Sequence, residues 1–217
     1  RFQIQGPMAV SVNVGGQAQA LSQGNEITVR AAMNGAKAVD FKDVPMVFVG
    51  YGVKAPERNW DDFKGVDLRG KIAVVLINDP DFETGVGDFG GKAMTYYGRW
   101  TYKFEEAARQ GATAALIIHD TPGAAYGWEV VRNGWTGPQF ELPAADDPEP
   151  RLPVQGWLNG ERAARLFADA GLDLAKLRAA ANKRGFKPVA LPATFNAELH
   201  NQVRAAVSHN AIAVLPG

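Results

Sequence analysis

"WTYKFEEAARQGATAALIIH", residues 100–119, decides the fold. Its small and apolar positions Trp100, Phe104, Ala107, Ala108 and Gly111 recur at the spacing of one helical stripe. Gly111 suits the stop position, where a left-handed backbone costs a glycine nothing. The helix is expected over Tyr102–Gln110, with Phe104 and Ala108 packed on a sheet. Three residues after Gly111 the run Ala114–His119 reads as a buried strand, and upstream Ile72–Ile77 ("IAVVLI") is a run of the same kind. Together they spell strand, loop, helix, strand, a connection that makes the two strands parallel with a right-handed crossover.

Met46–Val53 ("MVFVGYGV") adds a third buried strand expected in the same sheet. The first forty residues are rich in Gln, Val and Gly, with short alternations such as Ile27, Val29, Ala31, and read as strands joined by glycine turns. "KAPERNWDDFKGVDLRG" is a turn-rich connection. After His119 comes a loop-rich middle, "DTPGAAYGWEVVRNGWTGPQFELPAADDPEPRLP", too long for an ordinary connection and so expected to be functional or partly mobile. "VQGWL" reads as a strand. Asn159 is then an N-cap for a helix carrying Ala163, Leu166, Phe167 and Ala170 on one face and ended by Gly171. A second helix with Leu174, Leu177 and Ala181 runs to Lys183–Gly185. The tail "ATFNAELHNQVRAAV" alternates weakly before a last apolar run, "AIAVLPG".

The fold class is therefore mixed α/β and β-rich. At 217 residues and 46% hydrophobic composition, the chain is long enough for a sizeable core. Its 23 basic residues balance 23 acidic ones, which argues against nucleic acid or an anionic membrane as partner. No apolar run nears the length that spans a bilayer, and no signal peptide is read at the N-terminus, so an exported form would already have lost its leader. Without cysteine there is no disulfide, thiolate zinc site or cysteine nucleophile.

The chain reads as catalytically empty. His119, His200 and His209 lack ligand spacing, and His119–Asp120 at a strand end is expected to cap a turn. Glu105 and Glu106 point about a hundred degrees apart on a helix and read as a solvated face beside Lys103 and Arg109. "DPDFETGVGD" (Asp79, Asp81, Glu83, Asp88) has calcium-loop composition without the EF-hand ligand order, and reads as a solvated turn. Ser11, Ser22 and Ser208 occupy no nucleophile elbow, and no phosphate-binding glycine motif follows a strand. What remains is aromatic. Trp60, Tyr96, Tyr97, Trp128 and Trp135, with Arg99 and Arg132, form the candidate binding set, because Trp, Tyr and Arg bury much area at little rotamer cost and still hydrogen-bond. Trp100, on the helix stripe, is assigned to the core. No catalytic, metal or cofactor residue is expected in the chain.

"PMVFVGYGVKAPERNWDDFKGVDLRGKIAVVLINDPDFE", "KAMTYYGRWTYKFEEAARQGATAALIIHD" and "RLPVQGWL" occur in order and resemble the protease-associated domain of secreted zinc exopeptidases, the bacterial aminopeptidases and glutamate carboxypeptidases of peptidase family M twenty-eight. The resemblance spans about Val44 to Leu191. It implies a swivelling β/β/α domain with a central sheet or open barrel and flanking helices, inserted into a catalytic domain. Residues 44–195 would form that domain, with 1–43 and 196–217 as flanks from the parent. "SHNAIAVLPG" resembles the catalytic-domain strand that precedes a His-x-Asp zinc motif. Zinc and catalysis would then belong to the parent, which would be secreted or periplasmic. Partners would be the parent catalytic domain and a peptide or protein substrate, met by Tyr96, Tyr97 and Arg99 at the cleft, with Arg99 suited to a carboxylate. The competing readings are an autonomous peptide- or glycan-binding module and a self-sufficient hydrolase.

Overall fold

The computed structural model describes residues 1–30 and 32–215; Ala31 and Gly217, on which two expectations fell, lie outside them. Along the chain run β1 (Phe2–Val14), β2 (Gln17–Ala20), β3 (Ile27–Arg30), β4 (Ala38–Phe48), β5 (Lys54–Ala55), β6 (Trp60–Asp61) and β7 (Ile72–Leu76). Then come α1 (Trp100–Arg109), β8 (Ala114–Ile118), α2 (Thr121–Ala124), α3 (Trp128–Trp135), β9 (Val154–Leu158), α4 (Gly160–Asp169), α5 (Leu174–Ala181) and β10 (Val189–Val203). Eight strands form one sheet in the order β2-β1-β10-β4-β7-β8-β9-β3, curled into a half-barrel.

The middle of this sheet is parallel. β4, β7, β8 and β9 pair in sequence, with Ile72 opposite Ala114 and Ala114 opposite Val154. β7, β8 and β9 are buried at every position, as expected of strands covered on both faces. Ile72, Val74 and Leu76 face one core with Phe48, Leu166 and Phe167, beneath α4 and α5. Ala73, Val75 and Ile77 face the other, with Phe104, Ala107, Val131 and Trp157, beneath α1 and α3. The three expected strands share the sheet, and α1 packs on it as its apolar stripe requires.

α1 ends at Gly111 (φ 80°) in a Schellman pattern: Gly111 N donates to Ala108 O at 2.9 Å and Ala112 N to Ala107 O at 3.0 Å. At Gly171 the same pair of bonds closes α4, whose N-cap Asn159 accepts from the backbone of Glu161 and Arg162.

Three segments depart from the sequence reading. The strand expected over Met46–Val53 stops at Phe48, because Gly50 (φ 58°) and Gly52 (φ 61°) turn the chain. The middle expected to be loop contains α3, whose Trp128, Val131 and Trp135 recur at helical spacing. The weakly alternating tail is the longest strand, β10, burying Leu191, Ala193, Phe195, Ala197 and Leu199. Its signal is faint because two of those inward positions are only alanine.

The antiparallel half of the sheet is built from both ends of the chain. β1 pairs with β10 from Phe2 opposite Val203 to Val14 opposite Ala193, and Arg1 N donates to Arg204 O at 2.8 Å. β3, from the same early residues, pairs with β9 at the far edge. Positions 43/44 and 195/196 lie inside β4 and β10. Residues 204–215 form no helix or strand, and the described part of the final apolar run, residues 211–215, is exposed, with Ile212 at 89%.

Phe104 is 2% exposed and sits between Trp100 and Trp135. Phe104→Ala is expected to lower stability by about 3–5 kcal/mol, as truncation of a buried aromatic does. Arg99→Ala, at an exposed position, should stay within about 0.5 kcal/mol. Urea denaturation of the two variants checks both values, and comparable losses would contradict this placement of the helix.

Candidate functional site

The site stands on a buried polar floor at the N-terminal end of α1. Lys103, only 1% exposed, donates from Nζ to Tyr51 O at 2.5 Å and Asn78 O at 2.9 Å. These carbonyls belong to the loops that follow β4 and β7. Asn78 (φ 73°) donates from its side chain to Gly123 O at 2.6 Å, while its own Oδ1 receives Asp79 N at 2.8 Å. Asp79 accepts from Thr95 N and Oγ1 at 2.7 and 2.9 Å, and Asp81 accepts from Phe89 N at 2.7 Å. Asp62 accepts from Val53 N at 3.0 Å and Trp60 Nε1 at 2.7 Å. One lysine and three aspartates thus tie together five loop segments.

Burial dominates the electrostatics of this floor. Loss of water pushes Lys103 down to about 7, although Asp79 and Asp62 favour its charged form. It lifts Asp62 up to about 7 against two N–H donors, and raises Asp79 as well. Lys103 is therefore not part of a solvated helix face, nor is "DPDFETGVGD" a wholly solvated turn, since Asp79 and Asp81 are buried within it. Glu106 is likewise buried, paired with Arg109 at 2.8 Å, whereas Glu105 is half-buried. A lysine near neutrality suits proton transfer. Enclosed as it is, with its protons directed at main-chain carbonyls, Lys103 acts as a structural tie.

Above the floor lies a chain of edge-on aromatic contacts. Ring centroids are 5.1 Å apart for Trp60 and Phe89, 5.8 Å for Phe89 and Tyr97, 5.1 Å for Tyr97 and Tyr102, and 5.5 Å for Tyr96 and Tyr102. Tyr96 is 53% exposed and donates to Glu105 Oε2 at 2.7 Å. Tyr97 donates to Glu57 Oε1 at 2.8 Å, a bond that holds the Glu57 carboxyl below its usual range. Arg58 stacks over Phe89 and Tyr97, its guanidinium carbon 4.9 and 5.7 Å from the ring centres. Gly98 lets the turn lie against Asp79, since a Cβ there would meet that carboxyl carbon at 3.0 Å. Arg99 is the N-cap of α1 yet makes no capping bond; its side chain is exposed, and the first helical turn holds no acidic residue. A cation at this helix end opposes the macrodipole, so it is placed against the local field.

The remaining candidates gather on α3. Trp128 donates from Nε1 to Gly24 O at 2.8 Å and packs on His119 at 5.5 Å. Trp135 lies 5.7 Å from Trp100 and 6.1 Å from Trp157, with the Arg30 guanidinium 4.7 Å over its ring. Arg132 is exposed, and its stem passes 3.4 Å from where a Gly24 Cβ would stand. The candidate set therefore splits: Tyr96, Tyr97 and Arg99 share the α1 turn, while Trp128 and Trp135, half-buried against the core, and the exposed Arg132 lie together on α3. Trp60 is buried at 6% exposure, its indole committed to Asp62, so it supports the first group from beneath.

Asp120 caps α2 by accepting from Gly123 N at 2.9 Å, in line with the turn-capping reading of His119–Asp120. Burial lowers the pKa of His119, whose Nε2 lies 3.1 Å from Tyr126 O. Among the described residues no three His, Asp or Glu side chains converge as metal ligands. The bonds that fix the two tyrosines escaped the sequence reading, which passed over Glu57 and placed Glu105 on a solvated helix face. Glu57 is 40 positions from Tyr97 and carries no local signal, whereas Glu105, two to three helical turns beyond Tyr96, is within reach of spacing arguments.

No protein-family model matches the chain, and no curated protein sequence matches it. Two solved structures show a weak likeness. An aminopeptidase from Aneurinibacillus sp. strain AM-1 aligns with a TM-score of 0.32 at 19% identity, over 93% of this chain and 37% of that one. The zinc aminopeptidase BSAP from Bacillus subtilis aligns with a TM-score of 0.33 at 12% identity, over 93% of this chain and 33% of its own. The chain thus spans about a third of the length of each. Scores of this size carry no argument about activity, which rests on the chain's own residues.

Lys103→Met leaves two carbonyls without their donor and the buried aspartates without their cation, and should cost about 3–5 kcal/mol. The pH dependence is separable. Folded Asp62 keeps its proton up to about 7, while the unfolded carboxyl ionises near its ordinary 3.8, so folding takes up a proton between these values. Stability from this group consequently falls as pH rises from about 4 to 7. Asp62→Asn should flatten that slope in a series of urea melts, and an unchanged slope would show that Asp62 is ionised throughout.

Proposed function

We propose that the chain is a non-catalytic protease-associated domain of a zinc-dependent exopeptidase of the aminopeptidase kind, covering the active-site cleft and contributing to substrate access. The observation that carries this reading is the Tyr96–Arg99 turn. Two tyrosines, each fixed through its hydroxyl to a carboxylate, share one turn with an exposed arginine on a backbone braced by Asp79. Such a surface is ordered before a ligand arrives, which reduces the entropy lost on binding. Arg99 offers a planar fork to the terminal carboxylate or an acidic side chain of a peptide.

The sheet is compatible with an inserted domain. β1 and β10 run side by side, so the path into the folded body and the path out of it meet at Phe2 and Val203. In this reading the inserted body runs from Phe2 to Val203, since the bounds 44 and 195 fall inside β4 and β10, and zinc, nucleophilic water and general base all belong to the parent catalytic domain. Compartment follows from the same resemblance: secreted or periplasmic. Trp128, Arg132 and Trp135 are the second recognition surface, turned to the parent or to a protein substrate.

In the intact peptidase, Arg99→Ala should raise KM for peptides about tenfold while leaving kcat unchanged, the mark of lost uniform binding, roughly 1.4 kcal/mol. Arg99→Lys should recover part of that loss. Unaltered kinetics in a normally folded Arg99→Ala enzyme would defeat the proposal. Equal peptide affinity of the separate chain and the intact enzyme, measured by calorimetry, would favour an autonomous binding module.

A further inference from the structure

A second surface lies where β4 and β10 drift out of register. Between Ala190, opposite Val47, and Thr194, opposite Pro45, the ladder shifts, so that three residues of β10 stand against the single Met46 of β4. A cavity of about 820 Å³ opens there, floored by Pro45, Met46, Phe186 and Leu191 and bordered by Lys64, Lys71 and Lys187. Asp61, Lys64 and Gly185 also line an adjoining cavity of about 460 Å³, which adds Lys54 and Arg184, so the two make one elongated groove. Five basic residues line it against one acidic residue, Asp61, in a chain whose total charge is zero. Asp61 is committed to Phe63 N at 2.9 Å, and Arg184 is held by Asp88 and by the carbonyls of Arg58 and Asn59. Lys54, Lys64 and Lys187 are exposed, and each lines the groove.

We infer that this groove binds an extended polypeptide segment in which aliphatic side chains alternate with carboxylates. The apolar floor takes the aliphatic groups, and the ammonium groups along the rim pair with the acids. Elongation favours a segment with several spaced charges over a single carboxylate at one end. The chain's own tail does not fit, since residues 204–215 contain no Asp or Glu. The inference is independent of the Tyr96–Arg99 turn, because neither cavity is lined by that turn.

The test is fluorescence anisotropy on the whole chain with a labelled ten-residue peptide bearing three Glu and three Leu separated by Ser. Saturable binding that weakens with added salt is expected. A matched peptide with Lys in place of Glu should not bind, nor should one with Ser in place of Leu. Lys64→Glu combined with Lys187→Glu should reduce affinity at least about tenfold, as like charges do when set against one another. Lys183→Glu, an exposed lysine outside the groove, should change nothing. Binding indifferent to the double reversal, equal binding of the Lys peptide, or absence of binding would each overturn the inference. So would reversal-sensitive binding of dodecanoate without binding of the peptide, which would assign the groove to a fatty carboxylate.

Discussion

One ammonium group organises the end of the sheet on which the aromatic turn Tyr96–Arg99 is built. Lys103 reaches from the second turn of α1 under the loops after β4 and β7, and bonds a main-chain carbonyl in each. Dehydrating a cation is expensive, and only the carbonyls together with Asp62 and Asp79 offset that expense. The geometry is correspondingly intolerant. If α1 rotated by one residue, the ammonium would leave the carbonyls and the aspartates would face one another. The aromatic turn inherits its position from this tie, since Asp79 that balances Lys103 also anchors Thr95, one residue before Tyr96.

The parallel heart of the fold was legible because its signal is local. Ile72–Leu76 and Ala114–Ile118 are unbroken apolar runs, Val154–Leu158 is a short run interrupted only by Gln155 and Gly156, and α1 carries its whole stripe within ten residues. β4 was misjudged at its end because "VGYGV" is as apolar as a strand. What stops it is close approach: a Cβ on Gly52 would lie 2.7 Å from Val75 Cγ2, and one on Gly50 would lie 2.9 Å from the Phe186 ring. Neither neighbour is near in sequence. α3 was hidden by the glycines and prolines on either side of it, which made eight helical residues look like part of a loop.

The site was half legible for a related reason. Residue type singled out Tyr96, Tyr97 and Arg99, and these three share one exposed turn. Charge was misread in the opposite sense: Lys103, Glu106, Asp79 and Asp81 looked like surface residues and are interior ones. A charged side chain reads as exposed unless its counter-charges are known, and those of Lys103 come from residues 62 and 79, brought in by the fold. Balanced total charge concealed the lysine-lined groove in the same way, since a sum over the chain says nothing of where the charges gather.

The pairing of β1 with β10 has a mechanical corollary. Force applied through the two ends of the folded body would fall on Phe2 and Val203, which face one another at the same end of an antiparallel ladder. Load then meets the hydrogen bonds one pair at a time, as in a zipper, instead of shearing the whole ladder together. The break in register between Gln5 and Ala9 is a natural pause along that path. This half of the sheet would peel away under modest tension while β7, β8 and β9, anchored on both faces, held together. Tethered between two points of a larger protein, the molecule would behave as a soft link around a hard centre.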